Sequence, residues 1–242
     1  MRFVAKVKNF FVKYLFNPKW RCVVCGREIF KDGYFCEKCY DELPFNDKTV
    51  CRHCGRKVVG DEEYCSTCKN VLVSLDKCRS PFVYENSVRK LIKHAKFYGD
   101  KYLLYAFAGF LYGEYVKSGF DADVICYVPM TRRAEKRRGF NQARVLAEAL
   151  AVKVGLPVIH CSEKVCETPN QKKLDRAHRL TNLKTAFRII DKKAAAGKKV
   201  LIVDDVTTTG ATAEALAAKL KNAGAVSVYL LTVASVPPKD GY

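Results

Sequence analysis

Two adjacent acids followed by a run of threonines form the segment of this chain with the clearest chemistry. The apolar run 200–203 precedes Asp204 and Asp205 and is typical of a strand buried on both faces. Ligands of open α/β sheets bind at the carboxyl edge, where such a strand ends. The acids can accept hydrogen bonds from sugar hydroxyls, and the following loop and helix start offer backbone amides to a phosphate. The predicted phosphate loop consists of Thr207, Thr208, Thr209, Gly210, Ala211 and Thr212.

This segment resembles the signature that binds 5-phosphoribosyl-1-diphosphate (PRPP) in type I phosphoribosyltransferases. In that family two adjacent acids contact the ribose 2′ and 3′ hydroxyls, and a Thr/Gly loop holds the 5′-phosphate. The resemblance implies that Asp204 and Asp205 are the ribose acids, placed at the catalytic centre, and that 207–212 is the phosphate loop. The alternative is a capped turn that closes a strand–helix unit without binding a ligand.

Eight cysteines form four CxxC pairs, and the four-cysteine unit repeats after 29 residues. The pairs are Cys22/Cys25, Cys36/Cys39, Cys51/Cys54 and Cys65/Cys68. Thiolates at this spacing suit tetrahedral Zn²⁺, and four protein ligands per ion predict two structural sites. The tandem repeat favours sequential ligation, one ion per unit, while a cross-braced pairing of alternate knuckles stays open. Disulfides require an oxidising compartment, and because nothing here looks like a secretion signal we expect reduced thiols.

The formal charge of +18 is strongly basic. Two zinc centres with four thiolates apiece would lower it by four, to about +14, which still predicts a polyanionic partner. The basic residues concentrate in two runs, 131–144 and 164–184. Because both runs flank the parts of the fold expected to meet phosphates, we expect them to bind anions, although charge alone does not distinguish PRPP from nucleic acid.

The first residues alternate aromatic and aliphatic side chains with lysines at helical spacing, which predicts a basic amphipathic helix. Lysines interrupt every apolar stretch, so the segment is neither a signal peptide nor long enough and apolar enough to span a bilayer. We expect the helix to pack on the zinc ribbons. Contact with an anionic membrane surface is the open alternative.

Strands and helices alternate along the rest of the chain, which predicts a parallel sheet flanked by helices. The expected helices are 84–97, 103–116, 142–153 and 213–222, and the expected strands are 124–128, 156–160, 186–190, 200–203 and 226–233. A basic loop is expected after Pro129, and 161–182 is expected to be irregular. The predicted domains are an N-terminal helix over 1–20, a double zinc ribbon over 21–76, and an α/β domain over 80–242.

Taken in order, the motifs look like those of the ComF family of competence proteins. They are the four CxxC pairs, Tyr84-Glu85, Lys96-Phe97-Tyr98-Gly99, Val128-Pro129, Arg138-Gly139-Phe140-Asn141-Gln142, Gln171, Arg179, Asn182, Phe187 and the Asp204 segment. The resemblance implies an α/β, type I phosphoribosyltransferase-like fold behind a small tandem zinc-ribbon domain. It also implies a cytoplasmic protein of natural transformation that handles incoming single-stranded DNA at the inner membrane, beside proteins of the DNA-uptake machinery.

The phosphoribosyltransferase resemblance also implies how PRPP would be held. Such enzymes displace pyrophosphate from the anomeric carbon, and Mg²⁺ balances the charge on the leaving group. Pyrophosphate and anion binding are expected of Thr131, Arg132, Arg133, Arg137 and Arg138. A mobile hood around Gln171 and Arg179 is expected to close over the site.

Three functions compete at this point. The first is a DNA-uptake protein with a PRPP site, which the whole motif order favours. The second is a phosphoribosyltransferase, although no side chain stands out as a general base and no segment identifies the acceptor. The third is a regulator that senses PRPP. DNA binding through phosphate contacts predicts a steep loss of affinity with salt, which separates the first function from the others.

Overall fold

The computed structural model describes residues 20–30, 33–46, 50–51, 53–55, 58, 64–65, 68, 74–166 and 185–237. The chain packs as two compact units, 1–43 and 44–242. In the first unit, an antiparallel bridge joins Arg21 to Glu28, and helix α1 spans Glu37–Asp41. Residues 1–19 of the predicted N-terminal helix lie outside the described residues. So do Gln171 and Arg179 of the predicted hood.

The second unit is built on a five-stranded sheet in which every strand pair is parallel. Its strands are β1 (Lys77–Arg79), β2 (Phe82–Val83), β3 (Val124–Tyr127), β6 (Lys199–Thr207) and β7 (Ser227–Ser235), and a separate antiparallel pair is β4 (Ser162–Lys164) and β5 (Phe187–Ile189). The order is β1-β7-β6-β3, with β2 also on β7. Strand β6 is therefore central, as its apolar composition requires.

Helices cover this sheet. They are α2 (Asn86–Tyr98), α3 (Lys101–Lys117), α4 (Arg132–Arg138), α5 (Gln142–Val154) and α6 (Ala211–Asn222). Helix α5 packs on β3, β6 and α3, while α6 packs on β5 and β7. The side chains of Leu201, Ile202, Leu146 and Leu216 in this layer are fully buried. The predicted α/β class, with a parallel sheet flanked by helices, is confirmed.

Three local predictions were wrong. Residues 162–164, within the segment expected to be irregular, form strand β4 because they pair with β5. The basic segment after Pro129 is a helix, α4, because the Thr131 hydroxyl accepts the Ala134 amide at 3.2 Å and so caps its first turn. The expected strand 156–160 is reduced to one parallel bridge between Val158 and Ile125. Pro157 contributes an acceptor but has no amide to donate, which keeps this edge short.

Candidate functional site

Strand β6 carries the two acids to the carboxyl edge of the sheet. The four residues before them, 200–203, are fully buried, and Asp204 is the first polar residue of the strand after this run. Asp205 is 7% exposed. The Asp205 amide donates to Asp204 Oδ1 at 2.8 Å, and this hydrogen bond holds the Asp204 carboxylate against the backbone of the strand.

A lysine from another element neutralises the second acid. Lys96, in the last turn of α2, lies with its Nζ 3.0 Å from Oδ1 and 2.8 Å from Oδ2 of Asp205. Burial opposes the charged ammonium, but the nearby Asp205 carboxylate outweighs it and raises the pKa of Lys96. Lys96 is therefore a cation fixed at the acid pair.

Asp204 is held in a different state from Asp205. Removal from water, followed by repulsion from the Asp205 carboxylate, raises the pKa of Asp204 to about 7. The acid pair thus carries between one and two negative charges near neutral pH, which suits hydrogen bonds from sugar hydroxyls to the ionised form.

A cavity of about 410 Å³ opens at the acid pair, and we call it the acid-pair cavity. It brings together six of the predicted site residues: Asp204, Asp205, Thr212, Thr131, Arg137 and Arg138. Of the predicted phosphate loop, only Thr212 lines it. Thr207 ends β6, and residues 208–210 connect it to α6. Gly210 is the N-cap residue of α6 and has φ +77°, a backbone conformation that favours glycine.

Four polar or charged lining residues were not among the predicted site residues: Lys96, Asn141, Gln142 and Lys164. Asn141 caps α5 through the Ala143 amide at 2.9 Å and donates to the Val128 carbonyl at 3.0 Å. Gln142 accepts from Arg138 at 2.9 Å, which positions that guanidinium at the cavity. The motif 138–142 thus joins α4 and α5 to the end of β3. Its sequence was the signal from which Asn141 and Gln142 could have been predicted as site residues.

The cysteines gather in the sequential arrangement. Within each repeat unit the four Sγ atoms lie within 4.8 Å of one another. Tetrahedral zinc with Zn–S bonds of ~2.3 Å has sulfur–sulfur edges of ~3.8 Å. The Sγ atoms of Cys25 and Cys36 lie 3.8 Å apart, and those of Cys54 and Cys65 lie 3.6 Å apart. Both four-thiol sets therefore fit Zn²⁺, and the first belongs to the unit 1–43 while the second belongs to 44–242.

The first CxxC pair of each repeat unit forms the same kind of backbone turn. The Gly26 amide donates to the Cys22 carbonyl at 2.9 Å, and the Gly55 amide donates to the Cys51 carbonyl at the same distance. In the second set, hydrogen bonds from the neighbouring thiols lower the pKa of the Cys51 thiol well below its ordinary value. A thiolate stabilised by its neighbours in this way is the form that binds a metal.

Two domain families match the chain over separate ranges. Residues 11–69 match the double zinc ribbon domain, and residues 136–240 match the phosphoribosyl transferase domain. The chain therefore combines a region similar to double zinc ribbon domains with a region similar to phosphoribosyl transferase domains. The zinc ribbon match includes both four-cysteine sets, because all of these cysteines lie between residues 22 and 68.

Curated relatives carry names from DNA uptake and use. Competence protein ComFC of Bacillus subtilis is 30% identical over 55% of this chain and 53% of its own length. Competence protein ComFC of Streptococcus pneumoniae is 32% identical over 62% and 64%, and DNA utilization protein YhgH of Escherichia coli is 38% identical over 44% and 46%. The chain thus spans about half to two thirds of the relatives it matches. The expected resemblance to competence proteins is confirmed.

The remaining predicted arginines line a second cavity. Arg132 and Arg133, from the first turn of α4, do not line the acid-pair cavity but face a neighbouring one of about 810 Å³.

Among the described residues, no helix is long and apolar enough to cross a membrane.

Proposed function

We propose that this double zinc ribbon protein acts in DNA uptake, and that its phosphoribosyltransferase domain binds Mg²⁺–PRPP in the acid-pair cavity. The observation that carries the proposal is the convergence of Asp204 and Asp205 with four basic side chains at one edge of the sheet. Those basic side chains are Lys96, Arg137, Arg138 and Lys164. PRPP combines a diol with phosphates, and this cavity combines acceptors for a diol with cations for phosphates.

Each part of PRPP has candidate partners. Asp204 and Asp205 would accept the ribose hydroxyls, and the loop 207–212 at the start of α6 would hold the 5′-phosphate. Thr131, Arg137 and Arg138 would bind the pyrophosphate, because they line the same cavity from its α4 side. Mg²⁺, when bound, would balance the charge of the pyrophosphate. Gln171 and Arg179 remain the proposed hood.

The DNA-uptake part of the proposal is supported by the named relatives and by charge. Competence and DNA utilization proteins are similar to this chain over about half to two thirds of their length. The formal charge of +18 suits a single-stranded DNA backbone. We propose a cytoplasmic site of action, with peripheral contact to the inner membrane and to other DNA-uptake proteins, and domain boundaries at 21–76 and 80–242.

Calorimetric titration of Mg²⁺–PRPP into the zinc-loaded full chain tests the proposal. The wild type should bind, and the double variant Asp204→Asn/Asp205→Asn should lose at least 100-fold in affinity. A charge-matched control is Asp41→Asn/Asp121→Asn, because both acids are exposed and lie outside the cavity. Absence of binding to the wild type, or equal loss in the control, would refute a PRPP site.

The transferase alternative keeps one specific observation in its favour, which is the second cavity beside the acid pair. A transferase releases pyrophosphate when an acceptor is present, whereas a sensor binds PRPP without turnover. Pyrophosphate release, measured with Mg²⁺–PRPP and candidate nucleotides and compared with the Asp204→Asn/Asp205→Asn variant, separates the two.

A further inference from the structure

The cavity that contains Arg132 and Arg133 has no role in the proposed PRPP site, and we call it the arginine cavity. Its volume of about 810 Å³ is twice that of the acid-pair cavity and within the range of ~300–1,000 Å³ typical of small-ligand sites. Strand β3, helices α4 and α5 and the β4–β5 pair supply about half of its lining residues, and the loops that join these elements supply the rest.

Cations dominate its lining. Four arginines and one lysine face two acids: Arg132, Arg133, Arg144, Arg188 and Lys164 against Glu135 and Glu163. Arg188 donates to Glu163 through Nε at 2.7 Å, and Arg144 donates to Glu148 at 2.8 Å. Arg132 and Arg133 have no acid partner among the residues that the structure describes. These two guanidiniums are available for a phosphate, which arginine binds with two parallel hydrogen bonds.

An aromatic pair lines the same cavity. Tyr127 and His160 stack with ring centroids 5.8 Å apart at 24°, and the phenol oxygen lies 2.7 Å from His160 Nδ1. Burial raises the pKa of Tyr127, so the phenol keeps its proton and can donate it to Nδ1. This hydrogen bond fixes the plane of the exposed imidazole, and a fixed aromatic plane is a surface on which a nucleobase can stack.

The two cavities share a wall. Pro129, Met130, Thr131, Asn141 and Lys164 line both. A ligand in the arginine cavity would therefore lie directly beside PRPP in the acid-pair cavity, separated from it by these five residues.

We propose that the arginine cavity binds a nucleoside 5′-phosphate unit, with its phosphate on Arg132 and Arg133 and its base on His160. The unit is either a free nucleotide or one residue of a single strand. Because it lies beside the acid pair, it is also the candidate co-ligand or acceptor for PRPP, and this last role rests on the proposed function.

Fluorescence anisotropy with a labelled eight-residue oligothymidylate, and competition by unlabelled dTMP, test the assignment on the zinc-loaded full chain. The variant Arg132→Ala/Arg133→Ala should weaken oligonucleotide binding at least tenfold and reduce the salt slope by about 0.7 for each phosphate that it no longer neutralises. The variant His160→Ala should weaken binding about tenfold, and His160→Phe should restore most of that affinity, because stacking needs a ring and not a charge.

A matched control removes two positive charges elsewhere. Lys136→Ala/Lys153→Ala affects exposed lysines on α4 and α5 that line neither cavity. Displacement of the oligonucleotide by dTMP identifies a free-nucleotide site, and binding of the strand without dTMP competition identifies a strand residue. Equal effects of the control and of Arg132→Ala/Arg133→Ala, or unchanged oligonucleotide binding by His160→Ala, would overturn the assignment.

The outcome is separable from that of the PRPP site. The Asp204→Asn/Asp205→Asn variant should keep its oligonucleotide affinity within about twofold while it no longer binds Mg²⁺–PRPP. Arginine-dependent nucleotide binding without PRPP binding would leave this inference standing and refute the proposed PRPP site. PRPP binding, together with an oligonucleotide affinity that does not depend on Arg132, Arg133 or His160, would leave the PRPP site standing and overturn this inference.

Discussion

Lys96 lies within hydrogen-bond distance of both carboxylate oxygens of Asp205, at 3.0 and 2.8 Å, although 109 residues separate them in the chain. Both side chains are largely buried, with 23% and 10% of their surface exposed. Within the part of the chain that the structure describes, no ion pair reaches Asp204. The two adjacent acids can therefore be buried side by side because Lys96 neutralises Asp205, and because Asp204 is partly protonated near neutral pH.

Removing the cation should destabilise the fold. Lys96→Met leaves Asp205 buried without a partner, and we expect the free energy of unfolding at pH 7.5 to fall by about 1–3 kcal/mol. Denaturant unfolding measures it. The double variant Lys96→Met/Asp205→Asn should regain most of the stability, because it removes both charges, whereas equal instability of single and double variants would contradict the ion-pair explanation.

The protonation of Asp204 should make PRPP binding depend on pH. Its pKa of about 7 means that the ionised acceptor is nearly complete at pH 8 and is about one tenth at pH 6. We expect the affinity for Mg²⁺–PRPP to fall about fivefold to tenfold over that interval, in excess of any titration of PRPP itself. Asp204→Asn supplies the reference, because it retains every titration except this one. Parallel pH profiles of wild type and variant would rule out Asp204 as the titrating group.

The same shift predicts a gain in stability when Asp204 is neutralised. The folded pKa of about 7 lies above the unfolded value of ~3.9, so the folded state binds the proton more tightly. This group therefore lowers the free energy of unfolding progressively as pH rises from about 4 to about 7. Asp204→Asn should raise the free energy of unfolding at pH 8 by about 1–3 kcal/mol and change it little at pH 4. Thermal unfolding at the two pH values measures the difference, and a variant less stable than the wild type at pH 8 would contradict it.

The position of strand β6 could be predicted from the sequence, but the partner of its second acid could not. Its apolar run and the acids that follow were enough to predict a buried parallel strand and a site at its carboxyl edge, because burial on both faces imposes an unbroken apolar pattern. The partner Lys96 was not predicted as a site residue, because it reaches Asp205 only through the packing of α2. Helix α4 was missed because seven mostly charged residues show no apolar periodicity.

For the cysteine repeat, the ligand sets could be predicted from the sequence, whereas their packing could not. Its spacing was enough to favour sequential four-thiol sets, and the structure brings those sets together. The sequence did not reveal that the second set packs against β1. Asn46 Nδ2 donates to the Gly55 carbonyl at 3.0 Å and to the Ser80 carbonyl at 3.2 Å, and these bonds join positions that no local pattern connects.

The two zinc sites should therefore differ in their effect on the phosphoribosyltransferase domain. Cys51→Ser/Cys65→Ser removes two ligands of the second set, whose knuckle also accepts a hydrogen bond from Arg79 in β1 at the Cys51 carbonyl. We expect this variant to bind one zinc ion instead of two and to lower the melting temperature of the domain by several degrees. The repeat-matched variant Cys22→Ser/Cys36→Ser should also bind one ion fewer, with little effect on that transition. Zinc stoichiometry with calorimetric unfolding measures both, and equal shifts in the two variants would contradict the prediction.

The equivalent glycines of the repeat give the sharpest test of this packing. Gly26 and Gly55 both follow a CxxC pair with positive φ, +73° and +69°. A Cβ on Gly26 would meet no atom within 4 Å, whereas a Cβ on Gly55 would lie 2.6 Å from the Cys78 carbonyl oxygen in β1.

Gly26→Ala should therefore cost only the backbone strain of a left-handed alanine, about 1 kcal/mol, and this cost falls on the unit 1–43. Gly55→Ala adds a backbone clash that no side-chain rotation relieves, so we expect the unfolding free energy of the phosphoribosyltransferase domain to fall by about 2–4 kcal/mol. Denaturant unfolding followed by intrinsic fluorescence of the zinc-loaded variants measures the two costs. A Gly55→Ala protein as stable as Gly26→Ala would mean that the second knuckle does not pack on β1 in solution.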